Sequence, residues 1–283
     1  MIYRMIYRMI YRIKRRRSWP VLLMTFVSVL ASALPASADN TVSITVFEDH
    51  KRYVEASESY GLSWKLFELA AQHANYQLQL QPSSWRASMK RVQDRKVDMV
   101  FGALKSAERE KWATFSLPFI TEGSAIFTQP HNPVSRFDDI DLENSTIGVS
   151  ANSLQESLAK KLGFKNIYAT VRRPQLYEML KGNRLDYLFF GTSIINYYCV
   201  NYDIVATPRC MKQVSEDFFP NSVHTLALSS NSEAINKLNQ INQALVDLRD
   251  SKKLKAVFEQ YANSGSLYEG WVERVNAQLS EQN

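Results

Sequence analysis

The sequence predicts an α/β protein built as two lobes on a common plan. Three observations carry this. Short runs alternating apolar and polar residues are interleaved with runs at helical spacing. One pattern occurs twice, as "KRVQDRKVDMVFG" ending at Gly102 and "YEMLKGNRLDYLFFG" ending at Gly191: a helix tail, a basic residue, an aspartate (Asp98, Asp186), an apolar strand and a glycine. Polar stretches bearing proline, "FTQPHNPVS" and "FFPNSVHTLALSS", follow the two copies and suit crossings between lobes. Two copies are too few for a solenoid, whose repeats are shorter and more numerous.

Residues 1–38 stand apart from this plan. They carry seven basic side chains, Arg4, Arg8, Arg12, Lys14, Arg15, Arg16 and Arg17, and no acid; then come the apolar "VLLMTFVSVLASAL" and the small residues Ala36 and Ala38. A basic segment, an apolar segment too short to span a bilayer and an A-x-A exit together read as a secretory signal peptide cleaved after Ala38. The threefold "MIYR" lengthens its basic end and leaves the start at Met1, Met5 or Met9 open. No cysteine stands immediately after the cleavage point, so a soluble exported product is expected rather than a lipid-anchored one. The formal charge of +6 rests on 34 basic and 28 acidic groups, and removing 38 residues with seven of the basic ones leaves 245 residues carrying 27 and 28. A near-neutral mature chain gives no footing for nucleic-acid binding.

Along the mature chain, "TVSITVF" and "YQLQLQ" read as strands, and "GLSWKLFELAAQHA" between them is helical through Leu62, Leu66 and Leu69. A second helix runs from about Trp85 through Met89 and Val92, before a buried strand that stops at Gly102. The crossings place the first lobe at 39–129, the second at 130–222 and a return to the first at 223–283. The return is helical, through Ile235, Leu238, Ile241, Leu245 and Leu248, then Leu254, Val257, Phe258 and Tyr261, with a last short helix after it. Cys199 and Cys210, the only cysteines, lie close together in an exported chain and are expected to pair. Their spacing fits no C-x-x-C or zinc pattern, and the four histidines are scattered singly, so neither a metal nor a cofactor is expected.

Open α/β sheets bind ligands at the carboxyl ends of their strands. This selects Glu48, Asp49 and Tyr53, then Gly102 to Arg109, then Ser150 to Ser153, then Phe190 to Thr192 as residues facing the cleft between the lobes. "WRASMKRVQDRKVDMVFGALKSAEREKWATFSLPF", "DLENSTIGVSANS" and "GNRLDYLFFG" resemble the extracellular solute-binding proteins of the amino-acid type, family 3, which serve ABC importers. The resemblance spans nearly the whole mature chain. It implies the two-lobed periplasmic-binding-protein fold of type II, each lobe a mixed sheet flanked by helices. It also implies a periplasmic monomer that closes on a small solute and hands it to an inner-membrane permease. A sensor for a membrane receptor and a dehydratase or lyase on the same fold are the alternatives; no G-x-S-x-G, H-E-x-x-H or clear carboxylate pair supports an enzyme.

The resemblance gives Arg109 the role of clamping a ligand α-carboxylate, where the alternative is an ion pair with Glu108, Glu110 or another acid. Trp85 matches the aromatic stacked on the ligand, although core packing suits it equally by spacing, and Tyr53 lies where a second aromatic wall is common. Asn152 and Ser153 stand at a helix start that offers N–H groups or simply caps itself. Two departures stand out. Gly191, after Phe190, holds the place of the aspartate that accepts the ligand ammonium, and Lys105 replaces a small hydroxyl residue near the clamp. Together they favour an anion without an amine, unless Glu48 or Asp49 restores an acid.

Overall fold

The computed structural model describes residues 40–202 and 210–281, so the expected signal peptide and its cleavage point lie outside the described residues. The chain runs β1 (Thr41–Val46), α1 (His50–Ala56), α2 (Glu58–His73), β2 (Gln77–Pro82), α3 (Trp85–Gln93), β3 (Met99–Leu104), α4 (Ala107–Glu110), β4 (Ala113–Phe115) and β5 (Thr121–Thr128). It continues through β6 (Thr146–Ser150), α5 (Leu154–Leu162), β7 (Asn166–Thr170), α6 (Arg173–Lys181), β8 (Tyr187–Gly191), α7 (Thr192–Tyr202) and β9 (Lys212–Gln213). Last come β10 (Phe218–Leu228), α8 (Ser232–Leu248), α9 (Lys252–Phe258) and α10 (Ser264–Glu281).

The strand order is β2-β1-β3-β10-β5-β8-β6-β7, with β4 on β10 and β9 on β5. The order contains one arrangement twice. β1 lies parallel between β2 and β3, and β10 runs antiparallel beside β3. Likewise β6 lies parallel between β7 and β8, and β5 runs antiparallel beside β8.

The paired sequence pattern explains how each half is tied. Asp98 Oδ2 accepts hydrogen bonds from the backbone N–H of Ser43 (2.8 Å) and from its hydroxyl (2.9 Å), fixing the start of β3 to β1. Asp186 Oδ2 accepts from the N–H of Thr146 (2.8 Å), fixing the start of β8 to β6 in the same way. The helix before each aspartate ends on a left-handed residue, Arg95 (φ 57°) and Asn183 (φ 52°), so that the next N–H turns back to the helix carbonyls of Arg91 and Met179. The aspartates therefore serve strand registration, not ligand binding.

The chain passes twice between the halves, and the passages lie side by side. In β10, Phe218, Asn221 and Ser222 pair with β5, whereas Val223 to Ala227 pair with β3. Beside it, the N–H groups of Ser116 and Phe119 donate to the carbonyls of Thr225 and Val223, and the N–H of Val223 donates to that of Ile120. The first passage thus precedes β5, because β5 already pairs with β8 from Ser124 to Phe127. Pro130 and Pro133, taken from the sequence as the first crossing, come after it.

Helix α2 buries Leu62, Leu66 and Leu69 as its spacing required, and Trp64, Phe67 and Ala70 widen the buried face. Helices α8 and α9 pack against α2, burying Leu238, Ile241, Leu245, Leu248, Leu254 and Phe258. The last helix is longer than the short one expected. Trp271 and Val275, four residues apart, are fully buried on one side of it, which anchors an otherwise polar segment. Helix α1 was not foreseen, since of its seven residues only Tyr53 is buried. Cys199 and Cys210 form the expected disulfide, with Cα atoms 5.3 Å apart.

Trp271 also donates its Nε1–H to the carbonyl of Pro118 (2.9 Å), next to the first passage between the halves. Trp271→Ala should lower the unfolding free energy by about 3–5 kcal/mol in urea titrations, because it leaves a cavity and an unpaired carbonyl.

Candidate functional site

A cavity opens where the carboxyl ends of β3, β6 and β8 meet, between the two halves of the sheet. Its walls include Phe47, Tyr60, Trp85, Gly102, Arg109, Glu122, Ser150, Ser153, Gln155, Arg173, Gly191 and Ser193. A second, adjoining cavity shares Phe47, Trp85 and Arg173 and adds Glu48, Asp49, Tyr53 and Tyr197.

Arg109 sits in α4, whose first turn is capped by the Ser106 hydroxyl accepting from the Arg109 N–H. Its side chain is 8% exposed. Nη1 donates to the carbonyl of Leu104 (2.8 Å), and the guanidinium carbon lies 5.1 Å from the centre of the Trp85 ring. Burial lowers its pKa to about 10, against the opposing pull of Glu108, so it stays charged at neutral pH. Among the described residues no carboxylate lies within 4.0 Å of it. The ion pair with Glu108 or Glu110 that the sequence left open is therefore absent.

Glu122, on β5, was missed. It is 9% exposed, and its Oε1 accepts from the backbone N–H of Ser193 (2.9 Å). A side chain at Gly191 would overlap this same Oε1 atom. The carboxylate thus fills the space that a side chain at position 191 would otherwise reach into. Burial raises its pKa, while hydrogen bonds from Ser193 and the charge of Arg173 pull it down. The only sequence signal was an acid in the apolar run "FITEGSAIF".

Arg173 was also missed. It opens α6, its Nε donates to the Ser150 hydroxyl (3.0 Å), and its guanidinium lies 4.0 Å from the centre of the Phe47 ring. Nothing local marks it, because Phe47 and Ser150 reach it only through the tertiary fold.

The remaining expected residues divide. Trp85, Gly102, Ser153 and Gly191 line the first cavity; Glu48 and Tyr53 line the second. Gly102 has φ 84°, a left-handed conformation suited to glycine, and the Tyr60 ring packs against the place of its missing Cβ. Ser153 caps α5 by accepting from the Glu156 N–H (3.1 Å). Asn152, with φ 62°, does not line either cavity; its carbonyl accepts from the Trp85 Nε1–H (3.1 Å). Phe190 is buried near Tyr198 and lies outside both linings. Lys105 is turned away, its Nζ donating to Gln278 of α10 (3.3 Å), because β3 continues past Gly102 to Leu104 before the chain bends. The second cation near the clamp is Arg173.

Four further contacts join the halves at this site. Ser57 donates its hydroxyl to that of Ser193 (2.6 Å), Tyr197 donates to the Asp49 carboxylate, Tyr53 stacks on Tyr197 with ring centres 3.8 Å apart, and Arg173 covers Phe47. Below the aromatic floor, the Tyr60 hydroxyl and His50 Nδ1 lie 2.9 Å apart.

Comparison with known proteins bears on the family and the fold. The family model of the bacterial extracellular solute-binding proteins, family 3, matches residues 50–264. The arginine-binding extracellular protein ArtP of Bacillus subtilis (strain 168) is 22% identical over 207 residues, covering 72% of this chain and 79% of that protein. The structure of an arginine third transport system periplasmic binding protein from Legionella pneumophila superposes with a TM-score of 0.65 at 16% identity, covering 78% of this chain and 99% of that one. A histidine kinase sensor domain similar to periplasmic binding proteins also gives 0.65 at 16% identity, with coverage of 79% and 96%. The fold is the two-lobed type II periplasmic-binding-protein fold expected from the sequence.

Burial lowers the pKa of His50 to about 4 and that of His224, whose Nδ1 lies 2.9 Å from the Ser116 carbonyl, to about 3. The unfolded chain takes up these protons near pH 6.5 and the folded chain refuses them, so the stability present above pH 6.5 drains away as pH falls toward 4. The raised Glu122 acts in the opposite direction above pH 4.5. His224→Asn, which keeps a donor for the Ser116 carbonyl, should reduce the pH slope of stability between 4 and 6.5 by about one proton in urea titrations.

Proposed function

This chain belongs to the bacterial extracellular solute-binding proteins of family 3, and from that premise we propose that it captures an amino acid or close analogue between its two lobes. One observation carries the reading: Arg109 and Glu122 line one cavity, both nearly buried, and neither is in an ion pair among the described residues. A guanidinium holds a carboxylate through two parallel hydrogen bonds, and a buried carboxylate is a strong acceptor for an ammonium group. Together they fit the two ends of an α-amino acid, with the Trp85 and Tyr60 rings as apolar walls. Glu122 replaces the missing aspartate, which removes the reason to prefer an anion without an amine. ArtP and the Legionella protein are named for arginine, itself an α-amino acid.

Closure of the lobes is the mechanism. The contacts of Trp85 with Asn152, Ser57 with Ser193 and Tyr197 with Asp49 link the halves, and a ligand touching both adds to them. The adjacent passages near Ser116 to Ile120 and Ser222 to Val223 serve as the hinge, so β5 belongs with the second lobe. Residues 1–38 export the chain to the periplasm, where the monomer delivers its solute to an ABC permease. No helix among the described residues is long and apolar enough to cross a membrane. The similarity to a kinase sensor domain supports a second reading, in which the same closure reports ligand to a membrane receptor. The site is read as binding rather than catalytic, and unchanged ligand recovered after incubation checks this.

Calorimetric titration with the twenty amino acids tests the proposal. Arg109→Ala should weaken binding at least about 100-fold and Glu122→Gln at least about 10-fold. The unliganded melting temperature of Arg109→Ala should move by only a few degrees, since no internal ion pair is lost. Unaltered affinity in both variants would sink the reading.

A further inference from the structure

The amino-acid reading uses one positive and one negative group and leaves a third charge unanswered. Arg173 lies between the cavity that holds Arg109 and Glu122 and the adjoining one lined by Glu48 and Asp49. Its position is fixed from two sides, by the Ser150 hydroxyl at Nε and by the Phe47 ring under the guanidinium plane. These contacts leave the outer Nη groups without an acceptor or acid partner among the described residues, while the side chain is half-buried. An oriented guanidinium with its donor edge open in a cavity is suited to a second carboxylate.

Charge balance points the same way. Two guanidinium groups and one carboxyl group line the first cavity, so cationic groups outnumber acidic ones there, and the acids Glu48 and Asp49 line the adjoining one. A neutral zwitterion satisfies Arg109 and Glu122 and leaves Arg173 unneutralised. A basic side chain would lie against the like charge of Arg173; of the two acids in the adjoining cavity, Glu48 and Asp49, the second already accepts from Tyr197. An amino acid with an acidic side chain matches all three groups.

Resting on the assignment of Arg109 to the α-carboxylate and Glu122 to the ammonium, we infer that the solute is an acidic amino acid and that Arg173 binds its side-chain carboxylate. Arg173 is then the specificity-determining residue of the site.

Calorimetric titration of the purified protein with L-glutamate, L-aspartate, L-glutamine, L-asparagine, L-arginine and glutarate tests this. The better of the two acids should bind at least about 10-fold tighter than its amide, the usual gain from a charge-assisted contact. In Arg173→Gln the gap between acid and amide should close, with amide affinity kept within about threefold. An amide that binds the wild type as well as its acid, or L-arginine as the tightest ligand, overturns the inference and leaves the amino-acid reading standing. Glutarate binding as tightly as L-glutamate, or no amino acid binding at all, overturns both. The wild-type comparison decides the matter even if Arg173→Gln is unstable.

Discussion

Three ionisable side chains share one cavity without pairing with each other, and the rest of the site is arranged around that constraint. Removing a charge from water is costly unless something polar or polarisable replaces the hydration. Here the replacements are partial. Arg109 has one carbonyl and the face of Trp85; Arg173 has one hydroxyl and the face of Phe47; Glu122 has the Ser193 N–H. Each group keeps enough neighbours to remain in place and too few to be satisfied. A cavity of this kind holds a standing demand for polar partners, and a molecule that meets it gains more than surface burial alone would give.

The scaffold supplies such a site by building one half twice. In both copies a helix ends on a left-handed residue, an aspartate ties the following strand to its parallel neighbour, and the strand carries a glycine at the cavity edge. The copies then face each other across β5 and β10, so each contributes the carboxyl ends of its strands to the same space. Gly102 and Gly191 hold corresponding places and do different things. The first adopts a conformation open to glycine, and the second yields room to a side chain from the adjacent strand.

What could be read from the sequence follows the range over which each feature is determined. The strand and helix periods and the doubled aspartate pattern are local, and they located most elements. Arg109, Trp85 and Ser153, expected at the site, line the cavity, and each follows a strand end or opens a helix in a recognisable pattern. Glu122 and Arg173 depend on which strands become neighbours: β5 must pair with β8 before Glu122 can reach beneath Gly191, and α6 must dock opposite β1 before Arg173 can cover Phe47. Lys105 failed for a related reason, since two more residues of β3 past Gly102 direct it toward α10. Strand length at that scale is set by the partner β10, not by the residues themselves.

The exchange at Gly191 and Glu122 bears on how relatives of this chain should be sought. A sequence profile tied to columns would record a lost acid at position 191 and an unremarkable one at position 122, and would file the chain among those that had given up amine recognition. If Glu122 takes the ammonium group as proposed, then scored by location in space the negative oxygen has changed its point of attachment from one strand to the next. Surveys of ligand preference across divergent binding proteins will sort such members correctly only if they compare where charges sit, whatever backbone carries them.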